Sequence, residues 1–348
     1  MPYPLDVPTI TIKATKKASS DVAGGELALI RMIRRRVSKG SRGEVRLGIG
    51  DDCALLRPKP GEEFAVTTDL SIAGQHFWLA THPPESIGHR ALARGMSDLA
   101  AMGARPVAAF VSLAEPRELA GEWTRRFYNG LLQLAEAHKT TLAGGDLSEA
   151  PFPLADVVLV GSVPAGKALL RSGAKAGQVL YVTGTLGGSA AGLAQLPELA
   201  DSEQKMTKKR RGAASFTALA LHLYPQPRIA QGLWLRKREI ATAAIDLSDG
   251  LSTDLMHLCE ESGVAAEIEA DLLPIHQAAT LEQALHGGEE YELLFTAPKS
   301  ARVPRAIAGV PVTRIGRILR RSGKQTLVTL KTAERARPLH PAGWQHFA

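Results

Sequence analysis

"PPESIGHRALARGMSDLAAMGARPVAAFVSLA", residues 83 to 114, sets a helix directly in front of a strand. Pro and Ser near its start and Gly103 near its end bound the helix. The run "VAAFVSLA" then reads as a strand. Upstream, "EVRLGIG" and "EFAVTTDL" are strand-like, and "GELALIRMIRRRV" fits a helix. Downstream, a helix over "GEWTRRFYNGLLQLAEAH" is followed by the strands "TTLAGGD" and "ADVVLVGSV". Strands recur at "QVLYVTG", "ATAAIDLSD", "AAEIEA", "YELLFTA", "PVTRIGRI" and "QTLVTL", with helices between them. Both halves are therefore α/β or α+β. Small residues in "PAGKALLRSGAKAG" place a boundary near 164–177, giving domains over 25–165 and 166–348. Residues 1–24 read as a flexible extension, and 201–215, polar and without periodicity, as an exposed basic loop.

The chain has 348 residues, enough for two cores. No apolar run approaches the roughly 20 residues of a membrane helix. The start, "MPYPLDVPTITIKATKK", lacks a basic-then-apolar signal layout. Cys53 and Cys259 have no metal-type spacing, and a reducing cytoplasm is the expectation. The net charge of +7 raises the question of a nucleic-acid partner. The excess sits in "RMIRRR", "KKRR" and "RKR", and aromatics are only 5%, too few for a base-stacking surface. No nucleic-acid partner is expected.

Acids recur at the ends of strand-like segments: Asp51 and Asp52, Asp69, Asp146, and Asp246 with Asp249. Asp98 differs, lying on a helical stripe of Ile87, Ala91, Gly95, Asp98 and Met102. Any one acid reads as a turn or cap. Together, Asp52, Asp69, Asp98, Asp146, Asp246 and Asp249 suggest convergence, with Gly95 leaving room for a ligand. So many carboxylates share a site only around cations. Oxygen-only ligands suit Mg²⁺ bridging to substrate phosphates, and the histidines lack zinc spacing.

Two glycine-rich stretches do not qualify as nucleotide motifs. "GSVPAGKA" (161–168) nearly matches the phosphate-cradling loop, but Ala168 offers no hydroxyl and Pro164 removes a donor. "VTGTLGGSAAGLA" departs from the dinucleotide spacing and reads as a strand-to-helix turn. In "GGEEYELLF", Glu289 and Glu290 leave a turn entering a strand and a substrate contact both open.

Ten blocks occur in a familiar order: "GIGDDCALL", "TTDL…GQHF", "MSDLAAMGARP", "GGD", "LLRSGAKAG", "VTGTLGGSAAGL", "PQPRI", "AIDLSDGLSTDL", "GGEEYELLF" and "GWQHF". Over roughly residues 25–347 the chain resembles the thiamine-monophosphate kinases, in the superfamily of aminoimidazole ribonucleotide synthetase. The resemblance implies a two-domain α/β fold, with N-terminal domains pairing into a homodimer across a β-barrel-like interface. It implies Mg²⁺-dependent transfer from ATP to thiamine monophosphate, giving thiamine diphosphate. It assigns metal contacts to Asp52, Thr67, Thr68, Asp69, Asp98, Asp146, Asp246 and Asp249. ATP contacts fall to Gly145, Asp146, Arg171 and Ser248, and thiamine-phosphate contacts to His76, Glu289 and Trp344. No side chain is implied as nucleophile or base. The family usually carries Asn-Leu where Gly95-Met96 stands, Asp at Gly188, "GGED" for "GGEE" and "GGDTT" for "GGDLS".

The alternatives are a sister enzyme of the superfamily or a nucleic-acid binder with degenerate motifs. The N-terminus lacks the reactive residue and Gly-rich stretch of selenophosphate synthetases, and "QHFA" lacks the terminal Cys of the hydrogenase-maturation relative. The acids would repel a nucleic-acid backbone unless they were metallated.

Overall fold

The computed structural model describes residues 25–37, 43–49, 51–196, 213–323 and 326–344. The 1–24 extension and most of the 201–215 loop lie outside the described residues. Residues 213–215 are not loop; they open helix Ala213–Leu223, which is rich in the good helix formers Ala and Leu.

Leu154–Pro164, "LADVVLVGSVP", is apolar on both faces, as an interior strand is. It is the sixth strand, β6. Before it come helix α1 (Gly25–Arg36), β1 (Val45–Leu47), β2 (Leu55–Leu56), β3 (Glu62–Ile72), α2 (Pro84–Ala101), β4 (Arg105–Glu115), α3 (Glu122–Ala137) and β5 (Thr141–Glu149). One sheet has the order β3-β6-β4-β5, with β4 and β5 parallel and the other pairs antiparallel. The sheet is open within the chain. Asp69 and Asp146 sit inside β3 and β5, not at strand ends as the sequence suggested, because pairing runs on to Ile72↔Leu154 and Glu115↔Glu149.

The second half gives β7 (Val179–Thr183), α4 (Gly188–Leu193), α5 (Ala213–Leu223), α6 (Ile229–Lys237), β8 (Ala243–Asp246), α7 (Leu251–Ser262), β9 (Val264–Glu269) and α8 (Leu281–His286). Then come β10 (Leu293–Ala297), β11 (Ala306–Ile307), β12 (Val310–Arg320), β13 (Val328–Lys331) and β14 (Ala336–Pro338). These strands form a mixed sheet in the order β14-β13-β9-β12-β7-β10-β8, with β11 paired to β12. Among the described residues no helix is long and apolar enough to cross a membrane.

α2 lies between the halves and is almost entirely buried. It packs on β3 and β6 on one side and on α6 and β8 on the other. Its contact with α3 is backbone-close: a Cβ on Gly130 would stand 1.8 Å from Glu85 O, and one on Gly88 would stand 2.0 Å from Phe127 O. Neither helix can yield without moving the sheet beneath it. Gly130→Ala is expected to cost about 1–3 kcal/mol or more. Urea unfolding checks this; an unchanged midpoint would show that the helices can separate freely.

Candidate active site

The packing of α2 brings three acids from three elements together. Asp69 comes from β3, Asp98 from α2 and Asp246 from the end of β8. Thr67 Oγ1 donates to Asp98 Oδ2 at 2.5 Å, and Ser97 Oγ donates to Asp246 Oδ2 at 2.7 Å. Asp69 Oδ2 is buried without a hydrogen-bond partner. The space beside Gly95 is not left for a ligand: its Cβ position lies 3.2 Å from Thr67 Cγ2 and 3.3 Å from Asp69 Oδ2. Without a side chain at 95, β3 seats its acid against the helix.

The three carboxylates resist ionising together. Burial, and then the charge of Asp98, push Asp69 up to about 6 against the pull of Arg94. Burial and Asp98 raise Asp246 to about 7, with Asp69 adding to the rise and Ser97 and Arg171 opposing it. Burial also raises Asp98, while Thr67, Arg171 and Arg94 hold it down. Asp254, which the sequence reading passed over, is pushed up to about 8 by burial and by Asp246 and Asp249. It accepts the N–H groups of Asp249 and Gly250 and so fixes the "DLSDG" turn.

These residues fit a hard divalent cation: an orphaned buried carboxylate oxygen faces like charges that a cation would relieve. Among the described residues, no three His, Cys, Asp or Glu side chains are already gathered into a metal cage. Mg²⁺ takes one or two carboxylates and completes its octahedron with water and phosphate oxygens.

The structure does not bring all the remaining sequence-named residues to this centre. Arg171 is exposed, but its charge reaches Asp98 and Asp246. Thr68 donates to Asp156 Oδ1 at 2.7 Å. Register pairs Asp156 with Ser112, and Ser112 with Asp146, so Asp146 shares the sheet face of Thr68 and not that of Asp69. Ser148 Oγ donates to Asp146 Oδ2 at 3.2 Å. Gly145, at φ 150°, runs so close to β4 that a Cβ would meet Val111 O at 2.0 Å. Asp52 is exposed in the β1–β2 loop, where its N–H donates to Asp51 Oδ1. Ser248 O accepts from Glu289 N at 2.7 Å, and Asp249 O accepts from the N–H of the half-exposed Trp344 at 3.1 Å.

Arg90, Arg94 and Asp98 recur every four residues and share one face of α2. That spacing was the signal for two arginines that the sequence reading missed. Arg90 Nη2 donates to both Glu289 oxygens at 2.7 Å and to His76 O at 3.2 Å, while Nη1 donates to His222 O. Burial alone would raise Glu289, but the charge and hydrogen bonds of Arg90 and the charge of Arg94 hold it down to about 2. His222 bridges Ser189 Oγ (3.1 Å) and His82 Nε2 (3.3 Å), and burial beside Arg90 keeps both imidazoles neutral, at about 3 and 4. Glu289 and Tyr291 both have positive φ, 61° and 52°. Such strain in one loop is characteristic of ligand-facing segments. A hydrogen-bonded Arg90–Glu289–His222 cluster thus adjoins the acidic, metal-suited centre.

Two domain models match the chain: the AIR synthase related protein N-terminal domain over residues 50–163 and its C-terminal domain over 175–328. A thiamine-monophosphate kinase of Salmonella typhimurium is 41% identical, covering 85% of this chain and 91% of that protein. The crystal structure of a thiamine-monophosphate kinase from Stenotrophomonas maltophilia superposes with TM-score 0.74 at 37% identity, over 89% of this chain and 96% of that one. A structure of AaThiL complexed with AMPPCP and TMP superposes with TM-score 0.71 at 33% identity, over 93% and 97%.

Proposed function

The chain belongs to the thiamine-monophosphate kinase family, and from that premise we propose that it transfers the γ-phosphoryl group of ATP to thiamine monophosphate, giving thiamine diphosphate and ADP. The observation that carries this reading is the meeting of Asp69, Asp98 and Asp246 beside the Arg90–Glu289 ion pair.

The acceptor is a phosphate monoester whose second pKa is about 6, so its oxygen is already ionised at neutral pH. No side chain has to remove a proton. The acceptor oxygen attacks the γ-phosphorus in line, and the bond to the β–γ bridging oxygen breaks as ADP leaves. Asp69, Asp98 and Asp246 would hold Mg²⁺, with Asp52, Thr67, Thr68, Asp146 and Asp249 as the further contacts. The bound ions would supply neutralisation of the repulsion between the two anions. Gly145, Asp146, Arg171 and Ser248 fall to ATP, and His76, Glu289 and Trp344 to the thiamine moiety. Glu289 and the Trp344 ring suit the thiazolium cation. Arg90 fixes Glu289 and the His76 backbone in one arrangement.

Incubation with ATP, Mg²⁺ and thiamine monophosphate is expected to yield thiamine diphosphate and ADP. Absence of thiamine diphosphate with folded protein rejects the reading.

We read the two sheets as two domains, 25–165 and 166–348, working in the cytoplasm as a homodimer. The open face of the first sheet supports the dimer, since Val66 and Leu70 are 65% and 44% exposed there. A second copy covering that face would complete the barrel-like interface. Leu70→Asp is expected to yield monomers in sedimentation experiments; an unchanged mass would place the contact elsewhere.

A further inference from the structure

Two arginines of α2 lie beside the acidic centre, and they differ in what they have left to offer. Arg90 is committed to Glu289, His76 O and His222 O, with its side chain only 6% exposed. Arg94 makes one ion pair among the described residues, from Nε to Asp69 Oδ1 at 3.6 Å. Its side chain is 19% exposed. One turn before it on α2, Arg90 holds Glu289, and one turn after it lies Asp98, while its own charge acts on Asp69, Asp98, Glu289 and Tyr291. It therefore stands between the acids suited to metal and the glutamate suited to the thiamine moiety, where the acceptor phosphate has to lie.

We propose that Arg94 receives the phosphate of the acceptor and makes the site select thiamine monophosphate over unphosphorylated thiamine. This rests on the kinase reading and names a specificity-determining residue within it. A phosphate monoester carries about −1.5 to −2 charge at neutral pH. Brought up to three carboxylates, it needs a fixed cation of its own. A guanidinium suits, because it stays charged and its planar fork matches two phosphate oxygens. With Nε turned to Asp69, the Nη groups make no hydrogen bond among the described residues and can meet the ligand. The neighbouring Gly95 belongs to the same arrangement. Any side chain there would press on Asp69 Oδ2, the carboxylate against which Arg94 is set.

The test uses the full chain and two variants, Arg94→Gln and Arg94→Lys. Calorimetric titration with thiamine monophosphate and with thiamine, both without Mg²⁺ or ATP, reads the preference directly. The unmutated chain is expected to bind the phosphorylated form at least tenfold more tightly. Arg94→Gln is expected to lose most of that preference while binding thiamine as before. Its KM for thiamine monophosphate should rise about tenfold or more, with KM for ATP little changed. Arg94→Lys, which keeps charge without the fork, should fall between. Full preference in either variant overturns the assignment, with Arg94→Lys deciding if Arg94→Gln does not fold. If the unmutated chain forms thiamine diphosphate yet Arg94→Gln keeps its preference, only this assignment fails. If it forms none, the kinase reading fails first.

Discussion

Asp98→Asn is expected to lower kcat by about 10³-fold, on the scale of losing a principal electrostatic stabiliser of phosphoryl transfer, while leaving the fold intact. Asp98 is the hub of the acidic centre. It accepts from Thr67, raises both Asp69 and Asp246, and feels Arg171 and Arg94. Asparagine has the same shape and can still accept the Thr67 hydroxyl proton. What it loses is the charge that would hold a cation between two phosphates. Steady-state kinetics over a Mg²⁺ series, with thermal melting as the fold control, check the prediction. Turnover within tenfold of the unmutated chain at ordinary Mg²⁺ would remove Asp98 from the metal role.

The second large effect concerns stability. In metal-free protein, Asp69 and Asp246 have folded-state values of about 6 and about 7, above the ordinary carboxylate value of 3.8. The folded state therefore holds protons that the unfolded state releases. The stability these groups contribute is fully present below about pH 4 and is lost as pH rises through 6 and 7. Metal-free protein is expected to melt at a lower temperature at pH 8 than at pH 5.5 on their account. Added Mg²⁺ should restore the difference by binding the folded state. Asp246→Asn removes one of the charges and keeps an acceptor for Ser97, so at pH 8 without metal it should melt about 2 °C or more above the unmutated chain. It should also be inactive. A variant less stable than its parent at pH 8 would show that the cluster is not under repulsion. Stability gained with activity lost marks residues held for chemistry rather than for packing.

The elements around α2 were legible because their signals are local. The proline start and glycine end of the helix, and the apolar runs of β4 and β6, need no knowledge of neighbours. Asp98 was legible for the same reason: an acid on a stripe of small and apolar residues is out of place unless something pairs with it. Asp69 and Asp146 could be named but not placed. A strand's end depends on how far its partner continues, and β6 carries β3 beyond Asp69 to Ile72. Gly95 was read as room and proved to be contact, because only packing shows which atoms approach a missing side chain. His222 carried almost no signal, and for Arg90 and Arg94 the only one was their four-residue spacing from Asp98. An arginine on a helix is usually a solvated one, so that spacing alone does not mark these two as facing inward.

By itself, the sequence determined the two-part α/β plan, the set of acids, and through the order of its blocks the family. These rest on local periodicity and on residue identity, which a linear chain carries in full. Tertiary structure alone decided which acids meet, that Asp146 and Thr68 lie on the opposite sheet face from Asp69, and that two arginines bridge the halves. Those are relations between residues 20 to 200 positions apart. They are fixed only when α2 is pressed between two sheets and the field of each charge acts across space rather than along the chain.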